Sequence, residues 1–104
     1  MATSKLIAKT KEDNQIATGI VQRVRGNSVC VEISGSISMP SAAQTTIGTI
    51  TKHIPSNHVY AVASVGGSSN KFVLITVQTS GAIIVYNYTG SAQSYLFGSI
   101  SYLV

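Results

Sequence analysis

Few side chains in this chain are equipped for chemistry, and their spacing is more telling than their number. His53 and His58 lie five residues apart across Pro55, in the polar run from Lys52 to His58. Two imidazoles can share a metal, but a zinc site takes three or four protein ligands. No further ligand stands in the same run, so the pair reads as loop histidines making ordinary hydrogen bonds. The acids are Glu12, Asp13 and Glu32, two of them adjacent, which does not give the facing carboxylates of glycoside hydrolysis. Serine is abundant, yet no G-x-S-x-G turn occurs and no acid is placed to orient a histidine. Cys30, the only cysteine, sits beside an acid rather than beside the cation that would activate a thiolate, and can form no disulfide within the chain. These residues predict a protein that is not an enzyme and holds neither metal nor cofactor.

What remains is equipment for binding. Exposed Tyr beside Asn, Gln, His and Thr can hold a sugar, with the ring against its C–H face and amides or imidazoles on its hydroxyls. Tyr86 and Tyr88 are two apart near a turn, His53, Asn57 and His58 share the corner run, and Asn70 ends a glycine-rich turn. These six are the candidate saccharide contacts. A second reading takes the excess of seven Lys and Arg over three acids, formal charge +4, as a nucleic-acid surface. Arg23 and Arg25 would grip phosphates while Tyr86, Tyr88 and Tyr95 stack on bases. From Ile16 onward, however, the cations are only Arg23, Arg25, Lys52 and Lys71, and no basic stripe emerges.

The elements that must position these groups are strands. Lys71 to Tyr88, KFVLITVQTSGAIIVYNY, predicts a hairpin: two β-branched and aromatic runs flank Thr79-Ser80-Gly81, and glycine takes the positive φ of a tight turn. Apolar residues occupy both parities of its strands, so both faces must be covered, by protein or by another copy of the chain. Ile20–Arg25, a Gly26-Asn27-Ser28 turn and Val29–Met39 predict a long hairpin with one face in the core. Val29, Val31, Ile33, Ile37 and Met39 alternate there with Cys30, Glu32 and serines. A Thr-rich strand over 45–51, another over 59–65 and a last one over 95–104 complete an all-β pattern. It amounts to an antiparallel β-sandwich or jelly-roll-like barrel of about seven to eight strands. Residues 1–15 hold half of the charged side chains and read as a linker or stem end, with the head domain over 16–104. No apolar run is long enough for a signal peptide or a membrane span. Only 10% of residues are charged and none lies beyond Lys71, which suits a surface partly covered by oligomerisation. Asn87-Tyr88-Thr89 fits the glycosylation triplet, which reads as chance in a chain showing no export signal.

The order of elements from Ile16 to Val104 resembles the C-terminal head domains of tail receptor-binding proteins and tail-fibre tips from phages of Gram-positive bacteria. The likeness rests on Val29–Ile37 ending in a G-x-I element, on Thr46–Ile50 followed by Ile54-Pro55 and Tyr60, and on Lys71–Ile75 with Thr79–Tyr86. The closing Ser99–Val104 strand completes it. The resemblance implies a homotrimer on the virion tail tip, recognising host cell-wall polysaccharide without catalysis. It also implies contact with other tail or baseplate proteins through the N-terminal segment. A virion assembly domain that trimerises without binding glycan, and a small nucleic-acid-binding barrel, are the alternatives.

Overall fold

The computed structural model describes residues 11–66 and 71–104. Eight strands follow one another: β1 Lys11–Ala17, β2 Ile20–Arg25, β3 Ser28–Met39, β4 Ala43–Thr49, β5 Val59–Val65, β6 Phe72–Val77, β7 Ala82–Asn87 and β8 Gln93–Leu103. All pair antiparallel in one sheet of order β1-β2-β3-β8-β5-β6-β7-β4. The sheet curls until its two edges meet. Gly48 of β4 comes so close to β1 that a Cβ placed on it would lie 3.2 Å from Ile16 Cγ2. The result is a half-barrel whose concave side is the core.

The core follows from the period of two. Val29, Val31, Ile33 and Met39 of β3 point inward, while Glu32, Ser34, Ser36 and Ser38 face out. Val73, Ile75 and Val77 of β6, Ile83 and Val85 of β7, and Leu96 and Ile100 of β8 complete the interior. β8 pairs with β3 from Ser28↔Leu103 to Met39↔Gln93 and with β5 at Ser64↔Phe97 and Val65↔Leu96. This pair of long strands is the spine of the sheet, and the β6–β7 hairpin lies to one side of it. Where β5 crosses β8 the backbones approach closely: a Cβ on Gly98 would stand 2.6 Å from Ala63 Cβ, so a larger residue at either position would push the strands apart.

One expected boundary moves. Lys11–Gln15, assigned above to the linker, are strand residues of β1 in register with β2, from Lys11↔Arg25 to Gln15↔Val21. Period-two burial was hidden there because both faces are polar: Glu12 and Asn14 turn toward the concave side, Lys11, Asp13 and Gln15 away from it. An inward-pointing charge on an edge strand also discourages edge-to-edge pairing with a stray chain.

Gly81 closes the β6–β7 turn at φ 92° and its carbonyl accepts from Ile50 N–H at 2.9 Å, tying the turn to the segment after β4. A Cβ there would lie 2.2 Å from Ile50 O, whereas Gly26, at φ 64°, has nothing within 4 Å. Gly81→Ala is therefore expected to cost on the order of 3 kcal/mol of unfolding free energy through strain plus clash, and Gly26→Ala about 1 kcal/mol through strain alone. Urea midpoints at unchanged m-value measure both. Equal losses would show that the contact with Ile50 does not matter.

Candidate functional site

Two surface features stand out. The first is the convex face of β5, β6, β7 and β8. Tyr60, Val62, Phe72, Leu74, Tyr95 and Phe97 are exposed there, Val62 at 64% and Phe72 at 61%. The register makes them neighbours: Val62 opposes Leu74, Leu74 opposes Tyr86, and Ser64 opposes both Phe72 and Phe97. Thr76 lies among them between Tyr60 and Ile84, and its buried hydroxyl has no hydrogen-bond partner among the described residues. The convex face of β1–β3 is the opposite in character. Asp13 bridges Arg25 at 2.9 Å and Arg23 at 3.4 Å, and Arg23 reaches Glu32 at 3.1 Å. Exposed pairs of this kind add little to stability, because water and salt screen them. Their consequence is that Arg23 and Arg25, the two cations of the nucleic-acid reading, are already neutralised.

The second feature is the seam between the sheet edges. Beyond the Ile16–Gly48 contact β1 and β4 diverge, leaving a cleft of about 310 Å³ lined by Asn14, Ile16, Gln22, Thr49, Thr51 and Lys52. Its floor is Gln22, 1% exposed and, with Thr76 and Asn87, one of three buried polar side chains among the described residues. Asn14 Nδ2 donates to Gln22 Oε1 at 3.0 Å, while Gln22 Nε2 donates to Lys52 O at 2.9 Å and to Tyr102 Oη at 3.4 Å. Beside the cleft, Glu12 takes Lys52 Nζ at 3.3 Å and His53 Nε2 at 3.2 Å. Hydrogen bonds from Asn14 above all, then from His53 and Lys52, hold the Glu12 carboxyl down to about 2 from an ordinary 4.5. Burial pushes the Tyr102 phenol up, opposed by its bond with Gln22.

The five candidate contacts among the described residues do not form one site. His53 adopts φ 55°, a left-handed conformation that histidine tolerates better than most residues. It is fixed at both ends, its ring by Glu12 and its carbonyl by Tyr102 Oη at 2.7 Å. His58 is exposed and its Nδ1 accepts from Thr79 N–H at 3.1 Å. The two histidines thus hold different strands, as hydrogen-bonding loop residues. Asn57, also exposed, lines a smaller cleft of about 180 Å³ with Pro55, Val59, Tyr102 and Leu103. Tyr86 is half-buried on the convex face, and exposed Tyr88 follows β7 at the end of the sheet away from the corner segment. Asn70 lies outside the described residues. Asn87 of the glycosylation triplet is fully buried, with Nδ2 donating to Met39 O, Pro40 O and Ser91 O, so that amide is not open to modification in the folded chain. Among the described residues no three His, Cys, Asp or Glu side chains gather as metal ligands would. Sequence reasoning missed Glu12, Asn14, Gln22, Thr49 and Thr51; the one available signal was Gln22, a polar residue at an inward position between Ile20 and Val24.

The bonds to Glu12 carry a pH dependence. A carboxyl depressed in the folded state contributes stability above its ordinary value and loses it as pH falls through the folded one. The domain should lose thermal stability between pH 4.5 and about 2, and Glu12→Gln should flatten that slope, leaving the part due to Asp13, which Arg25 lowers. Melting temperatures across this range test it; an unchanged slope in the variant would mean that Glu12 does not hold the seam.

No family model and no curated protein matches the sequence. Among solved structures the chain is similar to the head domain of phage bIL170, described as bearing on a common fold for the receptor binding domains of lactococcal phages. The TM-score is 0.68 at 16% identity, covering 92% of this chain and 98% of that one. The chain therefore has the all-β fold of that phage head domain over nearly the whole length of both.

Proposed function

We propose that this chain is a receptor-binding head of a phage tail, attaching the virion to a saccharide of the host cell surface without catalysis, as a homotrimer. The observation that carries the reading is the fold shared with the bIL170 head domain over 92% of this chain and 98% of that one. Support for self-association comes from the convex face. Each large apolar side chain moved fully out of water gains about 1.5–3 kcal/mol. Six half-exposed ones per copy therefore supply a gain comparable with the association cost of about 4–15 kcal/mol. A monomer would leave this patch wet, against the usual pattern for soluble chains. Weak binding per head would be multiplied by the copies on one particle. A purely structural head remains the second reading, because the convex face would serve assembly equally well.

Retention of the purified domain on Gram-positive cells, lactococci first, with extracted wall polysaccharide as competitor, separates the two. Wild type should be retained and displaced by polysaccharide. Val62→Asp, at an exposed position, should keep its circular dichroism yet lose at least about tenfold in retention as avidity disappears. Assembly into oligomers without retention on any cell would favour the structural head.

A further inference from the structure

We propose that the cleft between β1 and β4 is a binding site for a single neutral sugar ring or a polyol of that size, contained within one copy of the chain. This deepens the saccharide reading above and rests on it for the identity of the natural ligand, though not for the existence of the site.

The cleft has a built frame. Ile16 on its wall packs against Gly48, Lys52 on its rim is held by Glu12, and Gln22 forms the floor. A seam meant only to seal the half-barrel would be filled with apolar side chains, as most of the concave side is. Here two of the three inward positions of β1, Glu12 and Asn14 beside Ile16, are polar, and β4 and its continuation add Thr49 and Thr51. A buried amide costs free energy unless it is bonded. The bonds of Gln22 to Asn14, Lys52 O and Tyr102 meet that cost and lock the floor in one orientation. The frame is therefore set before any ligand arrives, which reduces the ordering a ligand must impose.

The lining selects the ligand class. Amides and hydroxyls both donate and accept, as sugar hydroxyls do, and Ile16 offers a small apolar wall for a C–H face. The one cation at the rim, Lys52, is neutralised by Glu12 at 3.3 Å, so an anion finds no net charge. A volume of about 310 Å³ is at the small end of ligand pockets, about 300–1,000 Å³, enough for one ring and too small for an extended peptide.

The site reports on itself, because the side-chain amides of Asn14 and Gln22 give separate signals in a nitrogen–proton correlation spectrum. The labelled domain is titrated with glucose, N-acetylglucosamine, glycerol and inorganic phosphate in turn, and with the same compounds after Thr51→Phe, which fills the rim. At least one of the three neutral polyols should shift the Asn14 and Gln22 amides saturably, with half-saturation on the order of millimolar, while Gln44 and Asn57 stay still. Thr51→Phe, its dispersion otherwise intact, should weaken the effect at least about tenfold. Shifts caused by phosphate alone, shifts mapping elsewhere, or no shift with any polyol would overturn the proposal. Retention on cells reads the parent hypothesis separately. Cells held equally by wild type and Thr51→Phe would leave a receptor-binding head whose contact is not this cleft. Amide shifts without retention on any cell would leave the cleft and remove the receptor.

Discussion

A curled sheet has two faces, and only the concave one can be its inside. In this chain the strands β5 to β8 carry large apolar side chains on both. Val73, Ile75 and Val77 fill the half-barrel, and their neighbours Phe72 and Leu74 stand on its outer surface with Tyr60, Val62, Tyr95 and Phe97. Alternation that would normally end in polar residues ends here in a second hydrophobic layer that no other described strand covers. Low charge, absence of any charged residue after Lys71 and a Thr- and Ser-rich remainder belong to the same design. The convex face of β1–β3 shows what an exposed face looks like in the same molecule: Asp13, Arg23, Arg25 and Glu32 in mutual pairs.

The half-barrel also has an edge problem, which it meets with side chains rather than with hydrogen-bonded strands. β1 and β4 touch at Ile16 and Gly48 and then part. Polar groups take over where they part, with Glu12 reaching across to Lys52 and His53, and Gln22 gathering Asn14, Lys52 O and Tyr102 beneath them. Closure by such bonds leaves a gap with a defined shape. The convex apolar face and the polar seam thus lie on different parts of the molecule.

Much of the fold was legible because the chain is locally consistent. The alternation of Val29 to Met39 gave β3 and its buried face, Gly26-Asn27 and Gly81 gave the turns, and the runs at 59–65 and 95–104 gave β5 and β8 nearly to the residue. β1 was not legible: an edge strand with polar residues on both faces has no hydrophobic period to read, and Lys11–Gln15 passed for linker. The candidate contacts fared differently. Proximity in sequence placed His53, Asn57 and His58 together, but a corner segment turns its side chains toward whichever strand lies nearest, Glu12 of β1 for one histidine and Thr79 after β6 for the other. The seam depends on strands at opposite ends of the sheet order, and no local pattern announces that β1 will meet β4.

The account stands on the claim that the convex face is covered by other copies of the chain. Molar mass in solution by light scattering tests this most directly. The expected value is three times the 10.9 kDa of one chain, falling to a single chain when Val62 or Leu74 is replaced by Asp. A stable solution of single wild-type chains, with those side chains left in water, would contradict it.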